Sequence, residues 1–402
     1  MADVMVEKNV PVPMRDGVWL FATENRERRA FIDFDIFYEI QVNSPLKHRE
    51  REYQAFHDVM NQVVRAEEVG FTHFWTVEHH FQVGFAHSSA PEVLYGAISQ
   101  RTSKIRIGHA VVLLPFPYNH PVRVAERVAT LDILSNGRVE VGTGRSATQI
   151  ELGGFGIPYK ETRARWEEAL DIITTIWKSK DGTFSYKGKY YDIPERTVVP
   201  MPIQKPHPPL WVACTGEDTH ELAGKLGLGL LSFTLLVSPE KLGQRVQAYR
   251  TAIKSAKPYG AFANNRAGAF AMTHVADTDQ QARDEAERAF MSYVNTTLRV
   301  NAAVIEAKKT GIDPKEGAEA LVPDLPAQYE GLDPSKVTID SLIERGMCIC
   351  GSPDTVVKQL EQLQKAAQLD QFLAMMQFWS IPHEKTMHAI ELFGKYVIPH
   401  FR

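Results

Sequence analysis

The sequence predicts a closed (β/α)8 TIM barrel with insertions. Three observations carry that expectation. From Phe31 onward, short apolar runs alternate with amphipathic helical runs about eight times, the rhythm of parallel βα units. The chain has 402 residues, which allows two domains or one large barrel with insertions. No G-x-G-x-x-G follows the first strand, as an open dinucleotide-binding sheet would want, and the nearest glycine cluster, "GTGRS", comes only after the fourth.

The elements follow in order. "FIDFDIFYEIQ" reads as the first strand, apolar and aromatic residues interleaved with acids. "LKHREREYQAFHDVMNQVVRAEEVG" is helical and stops at Gly70. "FTHFWTV" is the second strand, and "APEVLYGAISQRT" a short helix with Pro91 near its start. "IRIGHAVVLLP", "RVEVGTG", "LWVACTG", "LGLLSF", "RAGAFAMTHVA" and "DQFLAMMQF" supply the other strands, with helical runs between them. Residues 184–208 break the rhythm with alternating aromatics and many prolines, and read as a hairpin excursion. Residues 301–340 are rich in Pro, Gly and Asp and read as irregular, so a lid loop is expected over 300–345. Residues 1–29 form a detached arm, and 30–402 a single domain.

Composition narrows the function. A hydrophobic share of 44% with 23% charged residues suits a globular enzyme. The net charge of −4, with no basic run interleaved with aromatics, argues against a nucleic-acid partner. Three cysteines, Cys214, Cys348 and Cys350, make no disulfide framework and suit a reducing compartment. No apolar stretch is long enough for a signal peptide or a membrane span, so a cytoplasmic location is expected.

Barrels of this kind place their sites at the C-terminal ends of the strands. "EHHF" after strand two, "GTGRS" after strand four and "CTGEDT" after strand five would then share one rim. Adjacent residues on a strand face opposite ways, so His79 and His80 do not readily share a metal ion. Glu78 and His80 could share a face, but no third ligand is evident. The glycines of "GTGRS" let backbone approach a ligand, and Arg145 can grip a phosphate. Thr215, Gly216 and Thr219 open a helix, where amides and hydroxyls favour an anion. A phosphorylated ligand across the rim, with His79 near its reactive end, is the expectation.

The run from "GFTHFWTVEHHF" through "SSAPEVLYGAISQRTSKIRIGHAVVLLPFPYNHPVRVAERVATLDILSNGRVEVGTGRS" resembles the bacterial luciferase-like flavin monooxygenases over about 80 residues. The likeness continues more loosely through "TRARWEEAL", "PLWVACTGEDTHELAGKLGLGLLSF" and "GSPDTVVKQLEQL". It implies a luciferase-like barrel and an enzyme that takes reduced FMN from a separate flavin reductase. With O2, such an enzyme oxygenates a small organic substrate through a C4a-peroxyflavin. By the resemblance His79 is the catalytic residue, and Ala110-Val111 matches a frequent non-proline cis peptide under the flavin ring. Arg145 and Arg163 match phosphate-binding arginines, and Thr215, Gly216 and Thr219 the phosphate loop. Gly144 stands where the luciferase α chain has a cysteine, so light emission is not implied. The resemblance also implies a homodimer.

Phe81, Phe85, Phe116, Tyr118, Phe233 and Trp379 are candidates for an apolar substrate pocket. Other readings stay open: an F420-dependent hydride-transfer enzyme, a non-catalytic flavin-binding relative and a barrel metallohydrolase.

Overall fold

The computed structural model describes residues 12–13, 19–20, 32–146, 148–310, 337–378 and 380–402. Eight parallel strands close a ring: β1 (Asp33–Tyr38), β2 (His73–Thr76), β3 (Arg106–Leu113), β4 (Val139–Gly144), β5 (Leu210–Ala213), β6 (Gly229–Phe233), β7 (Ala267–Val275) and β8 (Gln371–Met375). Each pairs with the next in parallel, β6 meeting β7 through Leu230↔Ala267, and β8 closes the ring on β1 through Gln371↔Asp33. The result is the closed (β/α)8 barrel that the alternation predicts.

The helices are α1 (Glu50–Val69), α2 (Pro91–Ser99), α3 (Pro121–Leu134), α4 (Gln149–Gly154), α5 (Thr162–Lys178), α6 (Glu217–Lys225), α7 (Pro239–Ala252), α8 (Asp279–Thr310), α9 (Ile339–Glu344), α10 (Pro353–Ala367) and α11 (His383–Leu392). Local chemistry sets their ends. Gly70 stops α1 at φ 103°, where only glycine sits without strain. His120 caps α3 with its ring, and Pro121 begins the helix at no hydrogen-bonding cost.

Two differences from expectation concern the connections. Helix α8 runs on to Thr310, ten residues past Val300, where an irregular segment is expected. Its "NAAVIEAKK" continues a good helix-forming composition, and the Pro and Gly density begins only afterwards. Ile339–Glu344, also inside the expected lid, is the short helix α9, capped by Thr338. The rest of that lid, 311–336, lies outside the described residues. The excursion is a hairpin, Thr183–Lys187 antiparallel to Asp192–Thr197. Of the expected arm, Val12–Pro13 pairs antiparallel with Trp19–Leu20; its other residues lie outside the described residues.

Strand phase divides the core. Phe34, Ile36 and Tyr38 of β1 face the helices, whereas Asp35 and Phe37 face the barrel interior. The lower interior is a polar plug: Asp35 accepts from Trp75 Nε1 at 2.9 Å and from Thr72 Oγ1 at 2.7 Å. Glu140 accepts from Arg106 Nε and Trp211 Nε1, each at 2.6 Å. These buried carboxylates are tolerable because donors surround them. Among the described residues no helix is long and apolar enough to cross a membrane.

Candidate active site

Above that plug, at the C-terminal ends of the strands, lies a cavity of about 1380 Å³. Its floor is apolar. Phe37 and Phe270 stack with centroids 4.8 Å apart, and Phe233 lies 5.8 Å from Phe270. Every residue singled out as a site candidate by the resemblance lines this cavity: His79, then Ala110, Val111, Gly144 and Arg145, then Arg163, Thr215, Gly216 and Thr219.

The Ala110-Val111 peptide is cis, at the irregularity where β3 shifts register against β4. Gly144 explains how Val111 fits there. A Cβ on Gly144 would stand 2.4 Å from Val111 Cγ2, so only hydrogen leaves room.

One end of the cavity is cationic. Arg145 follows β4 and donates to Thr162 Oγ1 at 3.3 Å, and Arg163 begins α5. Both act electrostatically on Cys214, whose thiol burial pushes up to about 12 while Thr219 and the two arginines pull the other way. The arginines therefore converge on the turn that opens α6. In that turn the Thr219 hydroxyl bonds the Gly216 amide at 3.2 Å and carbonyl at 2.7 Å. Thr219 thus shapes the turn from within. Where a Gly216 Cβ would stand there is no heavy atom within 4 Å, so the turn faces open space. Two arginines beside an open turn at a helix N-terminus fit a phosphate.

His79 follows β2 on the same cavity. Its Nδ1 lies 2.9 Å from Glu151 Oε1, and Glu151 is fully buried. The same carboxylate accepts the His80 amide at 2.9 Å, Ser146 Oγ at 2.8 Å and Thr148 Oγ1 at 2.7 Å. Burial pushes the Glu151 carboxyl up, but the His79 charge and these donors outweigh it and hold it at about 2. Burial likewise works against a charged His79, yet the charge and hydrogen bond of Glu151, with Glu39 and Glu78 beyond, raise it above its ordinary value. With Nδ1 committed to Glu151, Nε2 is the nitrogen that can meet a ligand.

Glu78 has a different task. It accepts the Leu113 amide at 2.8 Å and the Asn119 side chain at 2.9 Å, tying the end of β2 to the end of β3. His80 Nε2 lies 3.1 Å from the same carboxylate, and its ring stacks on Tyr118. Glu78 and His80 thus meet each other, as their two-residue spacing allows. Among the described residues no group of three His, Cys, Asp or Glu could hold a metal ion.

The aromatic candidates divide. Phe81, Phe85 and Phe233 line the cavity. Phe116 and Tyr118 do not: the chain turns away after β3 through the cis Phe116-Pro117 bond. Phe116 packs edge-on against His120 and Tyr191, and Tyr118 against Phe155. Trp379 lies outside the described residues. Sequence reasoning missed Glu151 and Glu39, both on the site. For Glu39 a signal existed, because it continues the inward phase of Asp35 and Phe37 by two residues.

Residues 32–368 match the luciferase-like monooxygenase family. The chain belongs to that family. It is 28% identical over 355 residues to limonene 1,2-monooxygenase of Rhodococcus erythropolis, covering 86% of this chain and 82% of that one. It is 27% identical over 357 residues to an F420-dependent glucose-6-phosphate dehydrogenase of Amycolatopsis mediterranei, covering 86% and 94%. Among solved structures, the oxygenating constituent of 3,6-diketocamphane monooxygenase of Pseudomonas putida, in complex with FMN, superposes with a TM-score of 0.71 at 22% identity, covering 92% and 98%. Relatives in this family are thus oxidoreductases, with monooxygenases and F420-dependent dehydrogenases both represented.

Proposed function

We propose that this chain is the oxygenase component of a two-component flavin monooxygenase. It takes reduced FMN from a separate flavin reductase and, with O2, oxygenates a small, largely apolar organic molecule. The observation that carries the reading is the polarity of one cavity: a cationic end, a platform at Ala110-Val111, an apolar floor and a charged His79–Glu151 pair.

Arg145 and Arg163 would hold the cofactor phosphate at the Thr215–Gly216 turn, which Thr219 fixes by accepting from the Gly216 amide. Val111, seated against Gly144, would support the flavin ring. Reduced flavin, when bound, supplies the electrons that oxygen chemistry requires. The protein orients the two ligands and excludes water with Phe37, Phe233 and Phe270. His79, whose pKa Glu151 raises, would donate a hydrogen bond or a proton from Nε2 to a developing oxyanion. We infer that the active form is a homodimer.

The test is anaerobic titration with reduced FMN and with reduced F420, followed by admission of O2. Retention of FMN, with flavin reoxidation on a time course unlike that of free flavin, supports the reading. Retention of F420 without oxygen uptake overturns it in favour of hydride transfer, the activity named for the Amycolatopsis relative.

A further inference from the structure

The cavity wall at β1 carries a titratable group that the mechanism above does not use. In the ring of strands β1 and β5 stand four places apart, so the end of β1 lies across the barrel from the Thr215–Gly216 turn. Glu39 follows β1 on the inward phase and lines the cavity. It is 5% exposed. Its Oε1 accepts from the Tyr293 hydroxyl at 2.9 Å, and its Oε2 from the Gln41 amide at 3.2 Å. Tyr293 comes from α8 and is held by stacking on Phe85 at 5.2 Å.

The titratable groups that act on Glu39 are His79, from the end of β2, and Tyr293, from α8; Gln41, on its own segment, is a neutral partner. Burial raises the carboxyl, while His79, Tyr293 and Gln41 draw it back, and it settles at about 7. A carboxyl poised there gains and loses its proton near neutral pH. A merely structural glutamate in such a wall would be better placed beside a fixed cation or replaced by an amide.

We propose that Glu39 is a second acid–base residue of this cavity, donating a proton to an oxygen or nitrogen atom of a ligand held across from the Thr215–Gly216 turn. The identity of that ligand, reduced flavin with its oxygen or the organic substrate, rests on the function proposed above. In the step, the O–H bond of the Glu39 carboxyl breaks and a bond to hydrogen forms at the ligand atom. The charge left on Glu39 is held by Tyr293 and Gln41, and solvent returns the proton through the cavity mouth.

The experiment has two readouts. The first needs no cofactor: infrared titration of the whole protein from about pH 5 to about pH 9, comparing wild type, Glu39→Gln and Tyr293→Phe. A protonated-carboxyl stretch is expected to fade near neutrality in wild type, to be missing in Glu39→Gln, and to persist to higher pH in Tyr293→Phe. The second is the rate at which bound reduced cofactor is reoxidised by oxygen, as a function of pH. In wild type the rate should fall as pH rises through the infrared midpoint. Glu39→Gln should lose that limb and about 10²-fold of rate. A wild-type protein with no carboxyl titrating near neutrality overturns the proposal, whatever the flavin does. So does a titrating carboxyl whose replacement leaves the pH profile unchanged. Should reduced FMN fail to bind, the function proposed above falls and the infrared titration alone decides for or against Glu39.

Discussion

Replacing Glu151 with glutamine removes one charge and almost no volume. The wild-type carboxylate accepts four hydrogen bonds, two on each oxygen. A glutamine oxygen turned toward His79 and the His80 amide keeps two of them. Its NH2 group then faces Ser146 and Thr148, whose hydroxyls can rotate to accept. What is lost is the field at His79. Opposite charges about 4 Å apart interact by about 4 kcal/mol at an effective dielectric near 20. That attraction favours the imidazolium over the neutral ring, and a glutamine does not supply it. The open side of the cavity screens part of it, since His79 keeps 20% side-chain exposure. We expect the His79 pKa to fall in Glu151→Gln, because burial then acts with less opposition. The assay is an NMR titration of labelled histidine, with His79→Asn to assign the signal. Cofactor turnover above neutral pH should drop in parallel, for want of imidazolium. A His79 that titrates unchanged in Glu151→Gln refutes the argument that this pair keeps it charged.

Other outcomes follow from the same geometry. Arg145→Ala and Arg163→Ala should each weaken reduced FMN binding by about 10- to 10²-fold, the worth of a charged hydrogen bond; riboflavin, lacking phosphate, should bind all three proteins alike, and an equal loss for both ligands argues against a phosphate site. Gly144→Ala drives a methyl group against Val111 and should cost about 1–3 kcal/mol in thermal unfolding, as overpacking does; a second change, Val111→Ala, should restore most of it. Acid stability should report on Glu151 too. Its pKa is depressed from the usual 4.5 to about 2, so the stability it contributes is complete above about pH 4.5 and lost as pH falls through about 2. Denaturant midpoints of Glu151→Gln should therefore decline less than wild type across that window, and parallel curves count against the assignment.

The fold was legible because period and punctuation agree. Strands such as "RVEVGTG" and "LGLLSF" are short, apolar and flanked by glycine, and the helices carry clear stops such as Gly70. That His79, Arg145, Arg163 and the Thr215–Thr219 turn would share one cavity was legible through long local resemblance. Glu151 was not, because it reaches His79 from 72 residues away on α4, a six-residue helix in a glycine-rich stretch with too few turns to show a period. Phe116 and Tyr118 were misplaced because proximity in sequence to a strand end says nothing about which way the following turn sends the chain. Glu39 has a readable inward phase, but alternation alone does not say whether an inward carboxyl joins the polar plug, as Asp35 does, or lines the cavity above it.

The cavity volume has a consequence for binding measurements. Pockets for single small ligands span about 300–1000 Å³, and this one is about 1380 Å³. Two guests of modest size can share it, and each then becomes part of the other's wall. By reciprocity, whatever factor the first guest applies to the affinity of the second, the second applies to the first. A substrate constant measured on empty protein describes a different room from the one in which turnover takes place. A compound that binds only beside a resident cofactor will be missed by any screen that leaves the cofactor out.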